Sequence, residues 1–195
     1  MDPTVADGIQ LLARDLRRLH VGEYHRMIEA GVFDEDERVE LLEGVIVTVS
    51  PQNPDHALIV ERLSNPLFLR LPGDFVIRCQ LPLAVSESDE PEPDVAIIHS
   101  GTPRSRQEHP KTARLVFEVA SGSLRRDREV KASLYARAAV PEYVIVNLQE
   151  DCLEVHRYPD PATGRYREIS RLASGDSLAS ASVLGLSFAV ADLFA

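Results

Sequence analysis

Two periodicities divide this chain, one of helical spacing and one of strict alternation. Residues 8–20 place Ile9, Leu11, Leu12, Leu16 and Leu19 at helical intervals with charged residues between them, and predict a helix. A second short helix is predicted over 21–30, ended by Gly31. Residues 38–49 alternate about Glu43-Gly44 and predict a hairpin whose second strand runs 45–49. Asp55 can cap a helix running to about Leu71, with Leu58, Ile59, Leu63, Leu67 and Phe68 as its apolar face; Pro66 predicts a kink or an early end. Strands are then expected at 74–85, 94–99 and 114–121, with residues 101–112 as a loop. A helix starting at Ser123 or Asp127 carries Val130, Leu134 and Ala138 in register and stops before Pro141. Residues 142–148 form another strand, and 152–158 pairs with 166–172 across the turn-rich 160–164. The tail, 182–194, alternates weakly and supplies an edge strand or a last helical turn.

That order, helix, three strands, helix, strand, with hairpins at either side, defines an α/β (α+β) chain with a mixed sheet covered by two helices. The organisation expected is an N-terminal helical arm over residues 1–37 and one domain over 38–195. At 195 residues the chain is long enough to bury a substantial core. Its 44% hydrophobic and 27% charged residues fit neither a disordered nor a membrane-embedded composition. No apolar run approaches the ~20 residues that span a bilayer, and the first eight residues lack signal-peptide order, so no membrane partner and a cytoplasmic location are expected. Cys79 and Cys152 match no zinc spacing and read as reduced packing residues.

Charge changes the picture locally. The net charge of −10 argues against a protein that coats nucleic acid. Yet residues 103–131 hold eight basic residues against four acidic ones, a basic island within an acidic chain. An arginine-rich solvated helix face gives the same count. Inside or beside that island stand two carboxylates that interrupt apolar, strand-type runs: Asp94 in Pro93-Asp94-Val95-Ala96-Ile97-Ile98 and Glu118 in Leu115-Val116-Phe117-Glu118-Val119-Ala120. A buried ionised carboxylate without a partner costs several kcal/mol. Either Glu118 is paired with a cation such as Arg114 or Arg78, or it works. If the two strands are neighbours, both acids reach one ion, and hard oxygen ligands of this type suit Mg²⁺ or Mn²⁺. Such an ion polarises a phosphoryl oxygen and acidifies a bound water.

Pro93-Asp94 followed by Glu118 on the next strand, within this order of elements, resembles the PD-(D/E)xK nuclease superfamily. Arg38-Val39-Glu40-Leu41-Leu42-Glu43-Gly44, His56, Pro93-Asp94-Val95-Ala96, Phe117-Glu118-Val119-Ala120-Ser121, Asp127-Arg128-Glu129-Val130-Lys131 and Tyr135 through Val140-Pro141-Glu142-Tyr143 resemble more closely the Uma-two family of restriction-type endonucleases. The resemblance covers roughly residues 24–158. It implies a restriction-endonuclease-like fold, a divalent metal on Asp94 and Glu118, and a further acid from the first hairpin, Glu40, with Glu43 as the fallback. In the superfamily a lysine stands two residues after the glutamate, where this chain has Ala120; the family resemblance implies that Lys131, on the next helix, supplies the cation instead. His56 matches a family histidine of no assigned role and otherwise reads as a helix-start residue. Arg125, Arg126 and Arg128 are candidates for phosphate contact at the site's edge, and Tyr135 and Tyr143 read as core, with only their hydroxyls near any site.

The expectation is therefore a Mg²⁺-dependent (or Mn²⁺-dependent) endonuclease acting on DNA, with Asp94, Glu118, Lys131 and Glu40 as catalytic residues. A homodimer is open, since enzymes that cut both strands often pair two sites. The competing class is a binding or assembly protein that keeps the nuclease fold without turnover; a third is a hydrolase of another phosphoester.

Overall fold

The computed structural model describes residues 15–34, 36–49 and 51–195. Helix α1 (Val21–Glu29) starts where Glu23 turns back to accept a hydrogen bond from the His20 N–H at 3.1 Å. The longer helix expected before it lies partly outside the described residues, and 15–20 are not helical. Strands β1 (Val39–Leu42) and β2 (Val45–Thr48) form the expected antiparallel hairpin. Its turn puts Glu43 at φ 52° and Gly44 at φ 71°, the left-handed pair that a two-residue hairpin needs. A Cβ on Gly44 would also lie 2.7 Å from the Arg18 Cβ, so only glycine lets the incoming chain cross this turn.

Helix α2 (Pro54–Arg70) is capped by Asn53 and not by Asp55: the Asn53 side chain accepts from the His56 N–H at 2.8 Å, and Pro54 takes the first helical position, where its missing N–H costs nothing. Pro66 neither ends nor shortens the helix, which runs on to Arg70 because Leu63 and Leu67 on its inner face are anchored in the core. Strands β3 (Phe75–Cys79), β4 (Val95–His99), β5 (Leu115–Ala120), β6 (Glu142–Asn147), β7 (Cys152–Asp160) and β8 (Arg165–Leu172) make one sheet in that order. β3 is shorter than the alternation of 74–85 suggests, since Gln80, at φ 51°, turns the chain off the sheet. All pairings are antiparallel except β5 with β6, whose crossover carries the second large helical segment: α3 (Leu124–Arg126), a π-helical turn (Asp127–Lys131) and α4 (Ala132–Arg137). The tail gives both structures expected of it, β10 (Ser187–Ala189) paired with β9 (Ser177–Ala179), and then α5 (Ala191–Phe194).

The two faces of the sheet carry different cores. On one, Ile97, Phe117, Val119, Val144 and Val155 pack under α2 and α5 with Ile59, Leu63, Leu67 and Leu193. Burying each side chain of this size contributes about 1.5–3 kcal/mol. On the other, Ala96, Ile98, Val116, Tyr143 and Ile145 meet Leu134, Tyr135 and Ala136 of α4 and Leu42 of the hairpin. Glu118 belongs to this second face. A smaller cluster, Tyr24, Val39 and Leu41, fastens α1 to the hairpin.

Candidate active site

β4 and β5 pair so that Val95 faces Phe117 and Ala96 faces Val116; one further step of that register sets Asp94 opposite Glu118. Both acids are buried, Asp94 at 8% and Glu118 at 4% exposure. Asp94 is oriented from two sides. Its Oδ2 accepts the Val119 N–H at 2.8 Å, and its Oδ1 lies 2.9 Å from the His56 Nε2, with the Gln80 amide at 3.5 Å. The capped first turn of α2 is therefore what delivers His56 to the acid.

Lys131 comes from the π-helical turn. Such a turn inserts an extra residue into the helix and re-aims its neighbours, here leaving Asp127 and Lys131 both turned inward and buried. The ammonium donates to Glu118 Oε1 and to Glu40 Oε1, each at 2.9 Å. Glu118 Oε1 also accepts the Tyr135 hydroxyl at 2.8 Å, and Glu40 Oε1 accepts the Glu92 N–H at 2.8 Å. The partner of Glu118 is thus Lys131, while Arg114 and Arg78 donate to the Ser182 and Pro82 carbonyls. Glu40 Oε2 is buried with no hydrogen-bond partner among the described residues.

These groups line a cleft of about 640 Å³ between the hairpin, the start of α2 and the π-helical turn. Six acids border it (Glu40, Glu92, Asp94, Glu118, Asp127, Glu129) against four cations (Arg38, Arg125, Arg126, Lys131). Burial holds the Glu118 carboxyl well above the ordinary range, against the pull of Lys131, and burial likewise raises Asp127 and Glu92. For Lys131 burial works the other way, but Glu118, Glu40 and Asp127 together outweigh it and hold its proton tightly. The cleft is short of positive charge, which a divalent cation would supply.

Each residue singled out in the sequence has a place here. Asp94, Glu118, Lys131, Glu40 and His56 converge on the cleft. Arg125 lines it with an exposed side chain paired to Glu129, and Arg126 lines it while its Nη1 donates to the Thr48 carbonyl at 3.4 Å. Arg128 turns aside, its Nε donating to Glu154 at 2.8 Å on β7. Glu43 closes the hairpin turn and pairs with Arg137 at 3.0 Å. Tyr143 is core, whereas the Tyr135 hydroxyl belongs to the site. The contributions of Gln80, Asp127 and the Val119 N–H are not visible from sequence spacing; a polar side chain beside a buried turn is the only trace of the first.

The six-stranded mixed sheet with its parallel β5–β6 pair, a helical crossover and carboxylates at the junction of β4 and β5 is a restriction-endonuclease-like α+β fold. It matches over 90% of this chain and 97% of the other, with a TM-score of 0.71 and 13% identity, the crystal structure of a protein from Anabaena variabilis ATCC 29413 described as "a putative nuclease belonging to DUF820". Residues 21–191 match the model of the Uma2 family, described as "Putative restriction endonuclease", and the chain belongs to that family. No curated protein sequence matches it. Among the described residues no helix is long and apolar enough to cross a membrane.

Proposed function

We propose that this protein is a divalent-cation-dependent endonuclease that hydrolyses DNA phosphodiester bonds in the cleft between the hairpin and the π-helical turn. The observation that carries the reading is the buried Glu40 Oε2, without a hydrogen-bond partner among the described residues, in a cleft bordered by six acids and four cations. The donor set fits a hard cation: Asp94 and Glu118 would hold Mg²⁺ or Mn²⁺, and Glu40 would support it. When bound, the ion supplies a Lewis acid for the phosphoryl oxygen and an acidified water.

The chain's own residues do the rest. His56 and the Val119 N–H fix the orientation of Asp94, so its carboxylate reaches the cleft already ordered. Lys131, protonated and held between two glutamates, presents a fixed positive charge for the phosphate and does not serve as a base. Arg38, Arg125 and Arg126 at the cleft wall offer charge to flanking phosphates, as duplex binding needs.

The test is nicking of supercoiled plasmid by the full chain in Mg²⁺ and in EDTA, beside Asp94→Ala. Cleavage that requires the ion and disappears in the variant is expected; cleavage unchanged in either arm refutes the assignment. Linear product ahead of nicked product would support two sites paired in a homodimer. A second reading, a fold that binds without turnover, draws on Ala120 and on the lysine already bridging two acids. Calorimetry separates them, since such a site takes up no Mg²⁺ or Mn²⁺ at millimolar concentration.

A further inference from the structure

A second cluster of ligand-type side chains lies outside the cleft. His25 on α1, Glu90 on the strap between β3 and β4, and His109 on the loop before β5 each bring one donor atom within 4.8 Å of the other two. They are far apart in sequence, and each stands on a segment that is not part of the main sheet.

Three features set this group apart from an ordinary surface ion pair. Glu90 is only 3% exposed, yet among the described residues its one ion-pair partner is His25, with no lysine or arginine against it. Both its oxygens address the same ring nitrogen, Nε2 of His25, at 2.8 and 3.0 Å. The pair is a three-centre hydrogen bond in which the carboxylate turns both oxygens toward one imidazole nitrogen, the orientation it would also present to an ion. The His25 and His109 rings meet edge-on at 81°, with centroids 5.9 Å apart, so neither ring covers the other's face.

From this geometry we infer that His25, Glu90 and His109 form a Zn²⁺ site that clamps α1 to the strap and the loop before β5. Zinc is bound by imidazole nitrogen and carboxylate oxygen at about 2.0–2.2 Å in tetrahedral array, which sets donor atoms roughly 3.3 Å apart. The present spacing needs the His25–Glu90 pair to open slightly and His109 to close. Three protein ligands leave a fourth position for water, reached past the partly exposed His25. Two nitrogens in three donors suit zinc and disfavour magnesium, so this site and the all-oxygen cleft would sort two metals by ligand chemistry.

The clamp also touches the cleft through the backbone. The Glu90 N–H donates to the Leu41 carbonyl at 2.7 Å, and two residues on, the Glu92 N–H holds Glu40 Oε1. Zinc at Glu90 would thus fix the strap that positions Glu40.

The experiment uses the full chain stripped with EDTA and titrated with Zn²⁺ against a chromophoric chelator, and with Co²⁺ as a spectroscopic stand-in. Wild type is expected to take up one tight Zn²⁺ and to show tetrahedral Co²⁺ bands. Asp94→Asn and Glu118→Gln should keep that equivalent, while His25→Gln and His109→Gln lose it together with the bands and with the Zn²⁺-dependent rise in Tm. Should one histidine variant not fold, the other gives the result, as His109 lies on a loop. No Zn²⁺ uptake by wild type at 100 µM, or uptake unchanged in both histidine variants, overturns the site. Loss in Asp94→Asn with retention in the histidine variants overturns it also, by placing the metal in the cleft.

Discussion

Glu118 and Glu142 stand on adjacent strands of one sheet, facing opposite sides, and are almost equally inaccessible at 4% and 0% exposure. Their surroundings differ completely. Glu142 receives Arg157 at 2.7 and 2.8 Å, the Ser180 hydroxyl, the Ser182 hydroxyl at 3.0 Å and two backbone N–H groups at 3.4 Å. Every lone pair that burial takes from water is given a donor, as a structural carboxylate requires. Glu118 shares one ammonium with Glu40 and keeps company with Asp94 and Asp127, and burial, with those acids adding to it, raises its pKa against the pull of Lys131. A satisfied buried acid staples the tail to the sheet; an under-compensated set of acids around a cleft is what the proposed cation site would require.

The largest effect expected from this contrast is catalytic. Asp94→Ala should lower plasmid cleavage at least about a thousandfold, some 4 kcal/mol of lost transition-state stabilisation, with little change in Tm. A milder loss would mean that the cleft does not need its best-oriented acid. Glu142→Ala should do the reverse, costing about 3 kcal/mol by stranding Arg157. In a chain of this size that lowers Tm by roughly 6–12 °C, read by calorimetry, while the Mg²⁺ dependence of cleavage is kept.

His156 represents a third treatment of a buried titratable group. Packed between Tyr143 and Tyr166 with its Nε2 unpartnered among the described residues, it is driven by burial from 6.5 down to about 4 and stays neutral. Its neutral form is favoured by folding, so its contribution is complete above pH 6.5 and is lost as pH falls toward 4. Wild type should lose about 3 kcal/mol more than His156→Phe between pH 7 and pH 4, measured by urea unfolding. Parallel curves would contradict the burial argument.

The smallest effect belongs to Glu118→Gln in metal-free protein. Lys131 keeps Glu40 and Asp127 as counter-charges, so the stability should stay within about 1 kcal/mol of wild type or exceed it. Because folding raises the Glu118 pKa, stability from this group is present at acid pH and lost as pH climbs through the elevated value. The variant should therefore gain on wild type as pH rises from about 4.5, and a widening loss instead would mean that Glu118 is a structural acid like Glu142.

Much of this was legible in the chain because hydrophobic period and interruption are local signals. Asp94 and Glu118 announced themselves as charges inside apolar runs, and the strands carrying them fell within a residue or two of their places. Glu40 and Lys131 needed the family resemblance, since nothing local distinguishes a helix lysine that snorkels from one that a π-helical turn drives inward. Pro66 misled because tertiary anchoring by Leu63 and Leu67 overrides a local breaker. The His56–Asp94 bond, the Gln80 turn and the His25–Glu90–His109 cluster join segments remote in sequence, and only the assembled sheet and strap bring them together.

The most direct test of the central claim is anomalous diffraction from crystals of the full chain soaked in Mn²⁺. An anomalous peak is expected in the cleft at about 2.0–2.2 Å from carboxylate oxygens of Asp94 and Glu118, with the Lys131 ammonium beside it. A cleft without a peak in Mn²⁺-soaked crystals, with Lys131 still bridging Glu40 and Glu118, would contradict it.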